Sequence, residues 1–149
     1  MEIPPAVYLA CLQAAQAYSL PLGLLLAIAF VESSFNPMAL GDYNVQGQPQ
    51  AFGLFQLHIF GAGAGYSSEE LLDPYTNAAV AARYLAWLRD IFEDEEEALA
   101  AYNAGPAKVK AHGWQVAKGY VKKVREAQRA ISVFLEPLER LAAKRELIE

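Results

Sequence analysis

The chain has 149 residues, 54% hydrophobic and 19% charged, the size of one globular domain that buries most of its unfolded surface. Its net charge of -5 and pI near 5.1 exclude a generally basic phosphate-binding face, so no nucleic-acid partner is expected. The single Cys11 excludes an internal disulfide framework, and the longest apolar stretch, Leu20 to Val31, falls short of the ~20 residues of a bilayer span, so no membrane insertion is expected.

In chain order, Ala6 to Tyr18 shows apolar and small residues at helical spacing. Ser19 before Pro21 reads as an N-cap with an early-turn proline, opening a second helix over about Pro21 to Ser34. That helix is apolar on nearly every face until Glu32 and stops at Asn36-Pro37, because the residue before a proline resists helix. Residues 41–65 then change character: six glycines and Pro49 in this stretch predict a long loop or short β-ribbon. Loops of such length inside a compact domain are usually functional.

Ser67 or Ser68 with Glu69 and Glu70 predicts a capped short turn ending at Asp73-Pro74, and Thr76 to Phe92 carries a helical pattern. The acidic run Glu93 to Glu97 precedes Ala98 to Tyr102, suiting the positive end of a new helix dipole as a solvated first turn. Gly105-Pro106 closes this helix, a short one follows to Ala111, and Gly113 closes that one. A last long helix is expected from Gln115 to about Leu135, with Pro137 breaking it before a charged tail. The expected fold is mainly α: one domain, residues 1–149, of about seven helices around the apolar second one, with a core over about 6–124 and a C-terminal extension.

Glu32 is the first candidate for chemistry. A carboxyl at a helix C-terminus after Ile28, Ala29, Phe30 and Val31 meets desolvation and the negative end of the dipole, and both raise its pKa. A carboxyl protonated near neutrality can donate a proton to a leaving oxygen and then take one back. Position alone equally allows a solvated helix end.

Three further observations bear on that choice. Glu32-Ser33-Ser34-Phe35-Asn36-Pro37-Met38-Ala39, Gly53-Leu54-Phe55-Gln56 and Ala101-Tyr102-Asn103-Ala104-Gly105-Pro106 stand in the order and spacing of the motifs of soluble lytic transglycosylases of family one. The segments Leu72 to Asn77 and Arg83 to Leu88 are similar to that family's linking stretch, so the resemblance runs from about Val7 to Val124. There is similarity also to goose-type lysozyme and phage endolysins. Two departures stand out: Phe55 occupies a common methionine position, and Val116-Ala117 stands where many members carry a Glu-Thr pair ahead of the match to Tyr120-Val121.

The resemblance implies a lysozyme-like fold with a saccharide cleft, Glu32 as the single catalytic acid/base, and Gln56, Tyr102 and Asn103 as substrate-binding residues. It implies cleavage of the MurNAc-GlcNAc β-1,4 bond of peptidoglycan with 1,6-anhydro-MurNAc ends. Taken without it, Tyr102 also reads as a core aromatic and Asn103 as a helix C-cap. A hydrolytic muramidase is the alternative, with Asp42 as a second carboxylate positioning water. Asp42 in Gly41-Asp42-Tyr43-Asn44 reads equally as an Asx turn. A third reading, of another class, is an inactive wall-binding or virion module. Tyr43, Phe52 and Tyr66 are candidates for stacking on sugars or for packing. His58 and His112 lie outside any Cys/His cluster, so no metal and no cofactor is expected, and the expected state is a monomer acting on glycan strands. The start Met1 to Pro5 shows no basic region followed by an apolar run. Delivery by other means is therefore expected, as for a phage protein released by a holin or carried in a particle.

Overall fold

The computed structural model describes residues 1–148. Seven α-helices and a small sheet follow one another: α1 (Pro5–Tyr18), α2 (Leu22–Ser33), β1 (Leu40–Gly41), β2 (Ala51–Phe52), β3 (Leu57–His58), α3 (Ser68–Leu71), α4 (Pro74–Ile91), α5 (Glu95–Ala104), α6 (Pro106–His112) and α7 (Lys118–Ile148). A 3-10 turn, Trp114–Ala117, joins α6 to α7.

Helix α2 is the centre of the fold, with α1 and α7 packed against it and α4 against α1. Leu24, Leu25, Leu26 and Ile28 have at most 1% of their surface exposed. Each side chain so buried contributes about 1.5–3 kcal/mol, more than the ~1 kcal/mol of a side-chain N-cap. Accordingly α2 forms with no side-chain bond at its N-cap. Ser19 is not the N-cap expected from the sequence. It ends α1 in the left-handed conformation, φ 53°, with its N–H on the Ala15 carbonyl, while extended Pro21 holds the cap position of α2. The serine stands two residues too early for its hydroxyl to reach the first helical N–H groups.

The β-ribbon expected over 41–65 is a three-stranded antiparallel sheet in the order β1-β2-β3, with Gly41 opposite Ala51 and Ala51 opposite His58. Ser67 and Glu70 form a reciprocal capping box at α3, and Asp73 caps α4 through the Thr76 N–H. Asp94 caps α5, but the acidic turn behind it is not merely solvated. Glu95 and Glu96 accept hydrogen bonds from Arg125 of α7 at 3.2 and 2.6 Å, tying the start of α5 to the last helix.

Pro137 does not end α7, which runs on to Ile148. The proline removes one N–H, whose acceptor would be the carbonyl of Val133. Val133 is 72% exposed, so water can take the place of the missing donor. Ile131 and Leu135 on the preceding turns remain buried.

Candidate active site

Four loops and helix ends converge on one cavity of about 440 Å³, lined by Glu32, Asp42, Gln56, His58, Tyr84, Tyr102 and Asn103 among others. All five residues singled out from the sequence therefore share one space. Glu32 comes from the last turn of α2, Asp42 from just after β1, Gln56 and His58 from the chain around β3, and Tyr102 and Asn103 from the last turn of α5.

The turn carrying Gln56 is held almost wholly through its backbone. Asn77 of α4, completely buried, accepts from the Phe55 N–H at 2.8 Å and donates to the carbonyls of Phe52 and Leu71 at 2.9 and 2.7 Å. The Ser33 hydroxyl, next to Glu32, donates to the Leu54 carbonyl at 2.7 Å, and the Tyr102 hydroxyl to that of Phe55 at 3.1 Å. Gly53 has φ +80°, and a Cβ there would strike the Leu71 carbonyl and the Asn77 amide. The sequence segments holding Glu32, Gly53 to Gln56 and Tyr102 are thus joined to one another by hydrogen bonds, besides facing the same space. Tyr102 is a packing residue and a cavity wall at once.

Glu32 is mostly shielded from water, and burial pushes its carboxyl up to about 7 from an ordinary 4.5. A hydrogen bond from the Tyr120 hydroxyl to Oε2, 3.0 Å, works in the opposite direction. Tyr120 lies 88 residues further along the chain on α7, and sequence reasoning did not select it for the site. The only available sign was that it fell on a residue matched in the family pattern. Oε1 of Glu32 takes no hydrogen bond from the described residues.

Gln56 sits at φ 49° and commits its amide N–H₂ to the carbonyls of Ala39 and Gly53, both at 3.0 Å. Its Oε1 takes no hydrogen bond from the described residues and lies against Gly41, which has no side chain to displace it. Asn103 is exposed and does not cap α5, as the sequence allowed; Gly105, φ 93°, ends that helix. Only glycine takes that conformation at low cost, which leaves the Asn103 amide free to line the cavity.

Asp42 does not form the expected Asx turn. Asn44 does so instead, accepting from the N–H groups of Gln46 and Gln48. The Asp42 carboxylate lies 2.8 Å from Nε2 of His58. His58 Nδ1 accepts from the Phe60 N–H at 3.2 Å, so the ring hydrogen sits on Nε2 and is donated to Asp42. Ser34, Phe35, Asp42 and Gln56 all have φ near 50–64° without being glycine. Backbone strain of this kind costs about 1–3 kcal/mol per residue and clusters at functional sites. Of the five such residues among those described, four line the cavity or follow Glu32, and the fifth, Ser19, ends α1. Of the aromatics, Tyr84 and Tyr102 line the cavity, rings 5.7 Å apart, rather than Tyr43, Phe52 or Tyr66.

The helical fold is shared with lytic transglycosylases of known structure. An inactive mutant of lytic transglycosylase Slt from Pseudomonas aeruginosa superposes with a TM-score of 0.73 over 90% of this chain at 24% identity. The 70 kDa soluble lytic transglycosylase of Escherichia coli does so at 0.72 over 89% and 26% identity. This chain spans only 25% of each of those proteins. Invasion protein IagB of Salmonella typhimurium and of Salmonella typhi is 34% identical over 125 residues, covering 80% of this chain and 75% of the relative. The transglycosylase SLT domain family matches residues 10–124. The chain belongs to that family.

Proposed function

We propose that this protein cleaves the β-1,4 bond between MurNAc and GlcNAc in peptidoglycan, with Glu32 as general acid and then base, leaving 1,6-anhydro-MurNAc ends. The observation that carries the reading is a glutamate carboxyl pushed to about 7 in the wall of a saccharide-sized cavity, in a member of the transglycosylase SLT family.

The chemistry follows from the carboxyl's surroundings. Tyr120 donates to Oε2, so in the protonated acid Oε1 carries the proton. That proton passes to the glycosidic oxygen as the bond to the muramoyl carbon breaks. The carboxylate so formed is stabilised by the same Tyr120 bond, and it then removes the proton of the muramoyl 6-hydroxyl as that oxygen closes on the anomeric carbon. Gln56 Oε1 and the Asn103 amide are suited to hydroxyl and acetamido groups of the bound sugars. The relative from Pseudomonas aeruginosa is inactive when glutamine replaces one of its glutamates, as a mechanism with one essential carboxyl requires.

Asp42 shares the cavity with Glu32, which favours the hydrolytic muramidase as the second reading, with water in place of the 6-hydroxyl. The carboxylate's bond to His58 occupies one of the oxygens that would hold that water. Digestion of purified peptidoglycan followed by mass spectrometry of the muropeptides separates the readings. Anhydro ends are expected; reducing ends throughout would replace transglycosylation with hydrolysis, and intact wall would leave a binding module.

Tyr120→Phe tests how the acid is tuned. The lost bond lowers the Glu32 pKa, so its removal raises that pKa and moves the alkaline limb of the pH–kcat profile to higher pH. An unmoved limb would dissociate Tyr120 from the reacting acid.

A further inference from the structure

Beside the main cavity lies a second groove that shares Gly61, Ala62 and Tyr84 with it and extends away from Glu32. One wall is the loop at Gly61, Ala62 and Ala64, whose side chains are too small to cover the other wall, formed by Arg83, Tyr84 and Trp87 of α4. Trp87 is 49% exposed, and its ring stacks on Tyr84 with centroids 5.8 Å apart and planes 25° apart. Arg83, one helical turn before Trp87 on the same face, is exposed and bonds only to the neutral phenol of Tyr66, at 3.2 Å. Among the described residues no carboxylate lies within salt-bridge distance of it, as is also true of Arg89 and Arg129, but Arg83 alone of these lines a groove joined to the main cavity.

The charges of the two spaces differ. The main cavity is lined by two carboxyl residues, Glu32 and Asp42, and by no lysine or arginine, so it disfavours an anionic substituent. The adjoining groove offers an unpaired guanidinium next to an exposed indole. An indole face accepts the apolar face of a pyranose or a small aliphatic side chain, and a guanidinium binds a carboxylate with two parallel hydrogen bonds.

We infer that the Arg83–Trp87 groove is a subsite for the peptide-bearing part of the strand, with a stem-peptide carboxylate on Arg83 and the adjoining muramoyl ring or alanyl methyl on Trp87. This rests on the reading of the protein as a peptidoglycan-cleaving enzyme. It adds that the enzyme selects strands that still carry stem peptides.

The test compares kcat/KM on glycan strands carrying peptides with that on strands stripped of them by an amidase. Arg83→Gln is expected to lower the ratio of the two about tenfold, the worth of one charge-assisted bond, and Arg83→Lys to keep most of it. A merely structural arginine would not divide the substrates this way. An unchanged ratio in Arg83→Gln overturns the subsite. If the wild type cleaves neither strand, the proposed function fails, and binding still decides the subsite. The chain has two tryptophans, so in a Trp114→Phe background Trp87 is the sole indole. N-acetylmuramoyl dipeptide should then change its fluorescence saturably, and at least about tenfold more weakly when Arg83→Gln is added. No saturable change would overturn the proposal.

Discussion

Glu32→Gln is expected to lower turnover of peptidoglycan by about three orders of magnitude, within the range lost when a positioned acid/base is removed, while the chain folds as before. Release of soluble muropeptides measures the first effect and circular dichroism the second. Glutamine keeps the length and the acceptor for the Tyr120 hydroxyl, yet it has no proton to deliver to a leaving oxygen. Wild-type turnover by this variant would remove Glu32 from the mechanism. The same variant has a signature in stability. The folded chain holds the Glu32 proton to about 7, whereas the unfolded chain releases it near the ordinary 4.5. The contribution of this group to stability is therefore complete below about 4.5 and is lost as the pH rises through about 7. Glutamine has no such dependence. Its stability relative to wild type should grow across that window by up to about 3 kcal/mol, read from denaturant midpoints at successive pH values.

Asn77→Ala is expected to produce the largest loss of stability of any single polar change in the domain, about 3 kcal/mol. Its side chain bonds the Phe55 N–H and the carbonyls of Phe52 and Leu71 in a space closed to water. Alanine leaves one donor and two acceptors buried without partners, each at a cost of about 1–3 kcal/mol before any water enters the gap. A melting temperature lower by roughly 10 °C follows for a chain of this size. Activity should fall further than stability explains when both are compared below the melting point, because the turn that Asn77 holds also positions Gln56. A shift of less than about 2 °C would mean that the turn is held by Ser33 and Tyr102 alone.

Much of the site was legible because it rests on local chemistry and short motifs. Glu32 stood out as the first charge after a run of apolar residues, and burial of its own carboxyl is the physical cause of its raised pKa. The boundaries of α5 and α6 followed from Gly105-Pro106, where glycine supplies positive φ and proline starts a helix. Ser19 and Pro137 were misread for one reason: both were weighed by local preference alone. Ser19 lies outside the second helix, and the missing N–H of Pro137 falls on a water-facing side of α7.

The sequence by itself determined the helical class, the central apolar helix, the acid at its end and the family to which the chain belongs, because helical period, proline and glycine punctuation and motif order all act within short stretches. Only the tertiary structure decided what that acid touches. Tyr120 reaches Glu32 across 88 residues, Asn77 fastens a turn 22 residues before it, and His58 takes the Asp42 carboxylate that an Asx turn would have used. These pairings depend on where α2, α4 and α7 pack. Packing is set by the summed burial of many side chains, which no local pattern encodes.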